Sequence, residues 1–595
     1  MKPLWYLNKY FRRYKWRFIL GLLFIVVSNY FGVEMPQIIG NSIDEIKEAL
    51  EKRHAPGVDK NDLITAITQA GLIAAGMYLL LTLLKGVFLF FTRQTIIVMS
   101  RHIEYDLKNE IYAHYQHLDQ GFYKQQSTGD LMNRISEDVS HVRMYLGPGI
   151  MYTANLLIMF ILTIATMLQV SVELTLYVLA PLPVMSVIIY FVSRSINRRS
   201  HKVQKQQSKL SSFVQETFSG IRVLKAYGRE KEFKEMFNRE SGNYKARNLE
   251  LVKINALFLP TITTLIGLST IITIWIGGVQ ALEGKISVGD IAAFVIFVNM
   301  LTWPFASVGW VTSLIQRAAA SQERINEFLK QEPVIPSAVM QEEMAEKVSG
   351  AIAFNNVSFT YAGTGVTALR NVSFRIEPGE TVAIIGRTGS GKSTIANLLC
   401  RLYDPVEGNI TIDGKDIREV PLTSLRGSIG YVPQEVFLFS DTIGNNIAFG
   451  MNDNDSEELI VQAAKDADVY DNIIEFEQAF QTMLGERGIN LSGGQKQRVS
   501  IARAIIRNPE TLIFDDCLSA VDAETEETIL ANLRRIMKGK ASLFISHRVS
   551  AVKQADRILV LDHGKIIEHG THNELIALNG NYAELYRKQL LETVQ

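Results

Sequence analysis

The sequence predicts a six-helix α transmembrane domain followed by an α/β domain built around a phosphate-binding loop. Three observations predict it. Apolar runs of span length are confined to the first 320 or so residues. Beyond residue 350 the pattern changes to short strands alternating with helical stretches. One of those strands runs directly into Gly386-Arg387-Thr388-Gly389-Ser390-Gly391-Lys392-Ser393. The expected division is 1–320 for the membrane domain, 321–350 for a linker and 351–595 for the nucleotide-binding domain. A chain of 595 residues exceeds one ordinary domain. With 61 basic and 61 acidic side chains its formal net charge is zero, which argues against nucleic acid as a partner. Apolar residues make up 47%, so intrinsic disorder is excluded. The two cysteines, Cys400 and Cys517, exclude a disulfide framework and agree with a reducing cytoplasm.

The six expected spans are Phe18–Gly40, Ile64–Phe91, Gly147–Gln169, Leu174–Phe191, Ile254–Val279 and Val288–Ser307. None alternates as a strand would. The first follows a basic start holding Lys2, Lys9, Arg12, Arg13, Lys15 and Arg17. The run is too long for a signal peptide and no A-x-A-like site follows, so it reads as an uncleaved anchor. The connection Asn41–Asp62 is rich in acids, and Glu173 is the only charge after the third span. The connections after the second and fourth spans carry Arg93, Arg101, Arg134, Arg194, Arg198, Arg199, Lys202 and Lys205. Basic residues on alternate loops predict a multi-pass protein of the cytoplasmic (inner) membrane, with the N-terminus and the C-terminal domain in the cytoplasm.

The two inner connections, Thr92–Leu146 and Ser193–Lys253, are too long for turns and read as helical. If each runs out and back, a limb extends about 40 Å. Such stalks suit contact with an inner-side domain; independent helical hairpins are the simpler alternative. Within the spans, Glu34 is expected near the outer face and Lys85 near the inner face, too far apart in depth to pair. Lys85 is expected to snorkel. Glu34, just before Pro36, is either a helix-end residue or a cavity residue. Tyr30, Phe31, Met151, Tyr152, Phe160, Trp275 and Trp303 face either an apolar cargo or, more simply, lipid and neighbouring helices.

In the C-terminal half, Thr381–Ile385 is an apolar strand and a helix opens at Lys392. Gly-x-x-x-x-Gly-Lys-Ser between them is a phosphate loop in its required setting. The glycines let backbone N–H groups surround phosphate oxygens, and the helix N-terminus adds partial positive charge. Gly386 to Ser393, with Thr394, are the expected phosphate contacts. Lys392 would neutralise the β and γ phosphates and Ser393 would ligate Mg²⁺. Thr511–Asp516 reads as a second buried strand ending in two carboxylates. Asp515 is placed to hold Mg²⁺ and Asp516 to orient or deprotonate an attacking water. Leu491-Ser492-Gly493-Gly494-Gln495 opens a basic helix and makes another anion site. One chain thus carries two phosphate-type sites and one phosphate-loop lysine.

These residues resemble the ATP-binding cassette (ABC) family, and essentially the whole chain is similar to a bacterial half-transporter exporter. Leu491–Gln495 matches the family signature, contributing Ser492, Gly493, Gly494 and Gln495. Tyr361 matches the aromatic that stacks on adenine. Gln434 matches the residue that senses Mg²⁺ and links to the membrane domain. Gly485-Glu486-Arg487-Gly488 matches the exporter-type X-loop, Ser519-Ala520-Val521-Asp522 the D-loop, and His547 the switch histidine. Thr128–Leu131 with Arg134 and Asp138, and Glu216 with Gly220–Lys225, look like the two coupling segments. The resemblance implies a type I ABC exporter fold, with ATP and Mg²⁺ as cofactors. It also implies two half-transporters paired so that each nucleotide sits between one phosphate loop and the other chain's signature. ATP closes the cassettes and hydrolysis reopens them. The catalytic set is then Asp516, His547 and Gln434, the metal set is Ser393, Gln434 and Asp515, and Asp522 joins the nucleotide contacts.

One departure from the family stands out: position 516 holds Asp where the family usually has Glu. The carboxylate is retained but is about 1.5 Å shorter, which is enough to misplace a water-activating group. The replacement resembles that in the degenerate-site subunit of heterodimeric multidrug exporters. A heterodimer is therefore the favoured reading, with a homodimeric lipid flippase-type exporter as the alternative. The expected function is ATP-driven export of amphipathic compounds, drugs or lipids, in contact with membrane lipid. An ATP-gated regulator or channel is a further alternative. Six spans exclude a soluble repair or translation ATPase. An importer is disfavoured by the N-terminal fusion of spans to cassette, and a peptide exporter with a protease domain by the short stretch before the first span.

Overall fold

The computed structural model describes residues 2–52, 60–335, 348–451, 456–485, 488–519, 521 and 523–593. Contacts group the chain into two units. One is Met1–Tyr112 with Met132–Lys330; the other is Ala113–Leu131 with Gln331–Gln595.

The first unit is helical throughout. Among the described residues, five helices are long and apolar enough to cross a membrane: Lys15–Lys52, Asn61–His117, Thr128–Val170, Glu230–Leu282 and Val288–Leu329. The expected fourth stretch is helical as well, but as Val172–Leu179 and Pro181–Ser219, separated at Ala180 where two prolines, Pro181 and Pro183, follow. Both inner connections are helical, as their composition predicts. Pro181–Ser219 packs along Glu230–Leu282, with the short helix Ile221–Ala226 at the turn. Many apolar side chains point outward, among them Leu72, Leu79, Leu83, Trp275 and Trp303. Water would penalise such faces and lipid does not. Met151, by contrast, is buried between helices.

Because lipid supplies no hydrophobic drive between helices, small residues and polar pairs set the packing. Asn29 Nδ2 donates to Asn155 Oδ1 at 2.9 Å, joining the first and third long helices. Ser28 Oγ donates to Lys85 O at 3.1 Å. Gly40 and Gly289 meet backbone to backbone, and Gly289 N–H donates to Asp44 Oδ1 at 2.8 Å. A capping box of Ser287 and Asp290 starts the last helix at that crossing. The separation expected between Glu34 and Lys85 is smaller in the structure. Lys85 Nζ lies 3.0 Å from where a Cβ on Gly32 would stand, only two residues from Glu34. No ion pair joins them among the described residues.

In the second unit, β1 (Ile352–Thr360), β2 (Thr367–Ile376), β4 (Glu407–Ile412) and β5 (Lys415–Asp416) form an antiparallel sheet of order β2-β1-β4-β5. The other sheet has order β10-β9-β3-β8-β7-β6, from β3 (Thr381–Ile385), β6 (Ile429–Val432), β7 (Thr511–Asp515), β8 (Ala541–Ile545), β9 (Arg557–Asp562) and β10 (Lys565–Gly570). From β9 to β6 its strands are parallel. Parallel strands need both faces covered, and β3, β7 and β8 show why their sequences are continuously apolar. Val382 and Ile384 of β3 enter one core, while Ala383 and Ile385 enter the other. The antiparallel sheet and the helix Lys392–Leu399 contribute to the first core, and the helices Gly493–Ile505 and Ala523–Met537 cover the opposite face.

The Gly40–Gly289 contact yields a test. A side chain at Gly289 meets Gly40 O and Asp44 Oδ2, whereas nothing lies within 4 Å of a Cβ on Gly278. Gly289→Leu is expected to cost about 1–3 kcal/mol and to lower the thermal unfolding midpoint of the detergent-purified protein. Gly278→Leu should leave that midpoint close to wild type.

Candidate functional site

Four of the predicted loops follow neighbouring parallel strands and so emerge at one edge of the sheet. The phosphate loop follows β3, Gln434 follows β6, Asp516 follows β7 and His547 follows β8. Register fixes this: Phe514 pairs with Val432 and with Phe544, and Ile384 pairs with Ile545.

In the phosphate loop, Gly389 has φ +80° and Gly391 φ +103°, both in the left-handed region. A Cβ on Gly391 would also run into Ala368 O. The chain can therefore turn tightly and start the helix Lys392–Leu399. Lys392 is buried, and its Nζ donates to Gly386 O and Arg387 O, each at 2.9 Å. Burial pushes its pKa down to about 8, against the opposing pull of Asp516 and Asp515. Ser393 Oγ donates to Asp515 Oδ1 at 3.1 Å. Burial pushes Asp515 up to about 6; Ser393 and Lys392 oppose this and Asp516 adds to it. Arg387 and Thr388 are exposed on the loop, and Thr394 is buried one turn into the helix.

Asp516 is held in the left-handed region, φ +49°, uncommon for a residue with a side chain but most tolerable for Asp and Asn. Its N–H donates to Ile545 O at 2.8 Å, and its carbonyl accepts from Ser519 Oγ at 3.1 Å. Its Oδ1 accepts the backbone N–H of His547 at a long 3.4 Å. Burial, with Lys392 nearby, holds the His547 imidazole below its ordinary value, while Asp516 and the Gly386 backbone act the other way. Phosphate loop, both carboxylates and His547 thus lie within one another's electrostatic reach. Gln434 follows β6 as an exposed side chain with no hydrogen bond among the described residues.

Tyr361 stands edge-on to Phe359 and Tyr403, with ring centroids 4.8 and 5.5 Å away. Its hydroxyl shares a 3.1 Å hydrogen bond with Thr394 Oγ1, tying the aromatic to the phosphate-loop helix. Beside it opens a cavity of ≈ 930 Å³ lined by Tyr361, Tyr403, Asp404, Asp119, Lys124 and Gln125. The signature forms a capping box: Ser492 Oγ accepts from Gln495 N–H at 3.2 Å, and Ser492 N–H donates to Gln495 Oε1 at 2.9 Å. Gly493 and Gly494 open the helix, which packs on Ile443–Ala448 and Glu457–Asp466. Among the described residues, no hydrogen bond or ion pair joins Ser492–Gln495 to the phosphate loop of the same chain. Asp522 and, in the X-loop, Glu486 and Arg487 lie outside the described residues.

Two contacts were not foreseen from the sequence. Gln589, on the C-terminal helix Asn581–Thr593, brackets the His547 segment. Its Nε2 donates to His547 O at 2.6 Å and its Oε1 accepts Val549 N–H at 2.7 Å. Gln497, one turn into the signature helix, donates to Ser519 Oγ at 3.1 Å, which in turn bonds Asp516 O. Neither glutamine belongs to a motif, and only the tertiary fold brings them to these partners.

The loop fits a triphosphate. Among the described residues, Ser390 Oγ is buried without a hydrogen-bond partner, and the ammonium of Lys392 is met only by carbonyls of its own loop. The Ser393 hydroxyl and Asp515 carboxylate, 3.1 Å apart, are hard oxygen donors of the kind a Mg²⁺ ion takes.

Comparison with known proteins places these features. Residues 18–305 match the family profile of the ABC transporter transmembrane region, and residues 369–519 that of the ABC transporter. A probable multidrug resistance ABC transporter ATP-binding/permease protein of Bacillus subtilis, YheI, is 36% identical over 592 residues, covering 99% of this chain and 98% of that protein. The multidrug resistance-like ATP-binding protein MdlA of Escherichia coli is 34% identical over 588 residues, 98% of this chain and 96% of that one. An ATP-dependent lipid A-core flippase of Aromatoleum aromaticum is 35% identical over 494 residues, 83% of this chain and 81% of the flippase. A phosphate loop and a multi-pass helical unit in one chain, similar along their whole length to such proteins, establish that the chain belongs to the ABC transporters, as an exporter whose ATPase activity is coupled to transport.

Proposed function

We propose that this chain is the altered-site subunit of a heterodimeric exporter of amphipathic drugs or lipids in the cytoplasmic membrane. The observation that carries it is the state of Asp516. Its short carboxylate makes only a long 3.4 Å contact to the backbone N–H of His547, and its main chain is fixed by Ile545 and Ser519. A water-activating group must come within about 2.6–3.2 Å of its target. A carboxylate one methylene short on a fixed main chain reaches that position poorly. Binding needs other groups, all retained, so this site holds ATP and turns it over slowly.

In this reading residues 1–320 carry the cargo path, 321–350 the linker and 351–595 the nucleotide-binding domain. Lys392 and the N–H groups of Gly389–Ser393 grip the β and γ phosphates, and Tyr361 stacks on adenine. Ser492–Gln495, which make no bond to their own phosphate loop among the described residues, complete the partner's site across the dimer. Ser393, Asp515 and Gln434 hold Mg²⁺, which when bound offsets charge on the phosphate oxygens. His547 contacts the γ-phosphate, and Gln589 keeps the His547 main chain in place. The relatives' names, multidrug resistance proteins and a lipid A-core flippase, support an amphipathic cargo. Basic residues on alternate connections support a cytoplasmic N-terminus and cassette. A gated regulator or channel has no counterpart among these names.

Two outcomes are expected. Asp516→Glu in the full-length chain should raise ATP turnover at least tenfold, while Asp516→Asn changes the slow wild-type rate less than twofold. A chain that is fast when purified alone and is silenced by Asp516→Asn contradicts the altered-site reading. Separately, Gln589→Ala removes two hydrogen bonds to the His547 segment, about 1–3 kcal/mol in all. In the assembly with its partner it should lower kcat several-fold at this chain's site, measured in the Asp516→Glu background, and leave ATP affinity near wild type.

A further inference from the structure

We propose that Lys124 is a nucleotide-displaced latch: its ammonium occupies the Tyr361 ring until adenine takes that ring. The inference rests on the stacking role proposed for Tyr361. Lys124 Nζ stands 5.0 Å from the Tyr361 ring centroid and 5.6 Å from that of Tyr403, within range of a cation–π attraction to each. The lysine is exposed and belongs to the short helix Gln120–Gln125, which runs along one wall of the cavity beside Tyr361.

That wall is anchored at its base. Asp119 Oδ1 caps the helix by accepting Phe122 N–H at 3.2 Å, and Asp119 Oδ2 accepts Val334 N–H at 2.7 Å from the segment leading into the cassette. Gln125 reaches within 3.5 Å of the Cβ position of Gly363, on the loop that carries Tyr361. The segment Ala113–Leu131 therefore packs with the cassette although it continues directly from the long helix ending at His117. Lys124 is its one charged contact with the Tyr361 ring among the described residues.

A ring face cannot hold an ammonium and a purine together. Adenine stacking then releases Lys124, and a docked Lys124 opposes adenine. Linkage makes the two effects equal: the factor by which Lys124 weakens ATP binding is the factor by which ATP loosens the segment. The latch thus gives a helix leading to the membrane half a stake in the base, apart from the γ-phosphate.

Equilibrium binding of ATPγS and of inorganic tripolyphosphate to the full-length chain in lipid nanodiscs tests this. Lys124→Met should tighten ATPγS about two- to fivefold and leave tripolyphosphate unchanged, whereas Lys124→Arg stays near wild type. Tyr361→Ala should weaken ATPγS alone, and in that background Lys124→Met should have no effect. If Lys124 merely attracts the polyanion, Lys124→Met weakens both ligands, which overturns the proposal. Unchanged or weaker ATPγS binding in Lys124→Met, with Tyr361→Ala still weakening it, overturns the latch and leaves stacking standing. No effect of Tyr361→Ala on ATPγS removes the stacking role and the latch with it.

Discussion

A buried ammonium held by the carbonyls of its own loop is the interaction on which this molecule turns. Lys392 sits out of water, with burial pushing its pKa down to about 8, and Asp515 beside it is pushed up to about 6. Each ion is costly there because the other is an incomplete partner. On the proposed function, a triphosphate would supply the anion Lys392 lacks and a divalent cation the positive charge Asp515 lacks. The protein stores an unmet electrostatic demand at one edge of a rigid sheet, and nucleotide meets it. The sheet can carry that demand because β3, β7 and β8 are buried on both faces and cannot shift to relieve it.

The predicted site is spread along that edge. The expected binding groups lie on the loop and helix after β3. Asp516 and His547, the expected turnover residues, lie on loops after other strands and are positioned from further away. Asp516 is fixed by Ser519, itself bonded to Gln497 of the signature helix. His547 is fixed by Gln589 of the C-terminal helix. A signature helix engaged by another chain therefore has a two-bond route to the main chain of Asp516. Such a route links recognition in one cassette to the carboxylate in that same cassette.

In the helical unit the stabilising logic is reversed. Apolar faces remain outward and cost nothing in lipid, so the specific contacts are few and polar or small. The Asn29–Asn155 pair and the Gly40–Gly289 crossing fix which helices meet.

Much of this was legible in the chain itself. Span-length apolar runs, basic alternate connections and Gly386–Ser393 after an apolar strand each follow from local chemistry, because lipid, charge and phosphate act on neighbouring residues. So did the identity of Asp516, whose missing methylene is a covalent fact. Local patterns could not place Lys85 beside Gly32, since that proximity depends on how two helices pack. Nor could they reveal the Gln589 bracket, the Gln497–Ser519 relay or Lys124 over Tyr361. Those pairings join residues 22 to more than 200 positions apart, and only the packing of sheet, helices and inserted segment decides which distant side chains share a space.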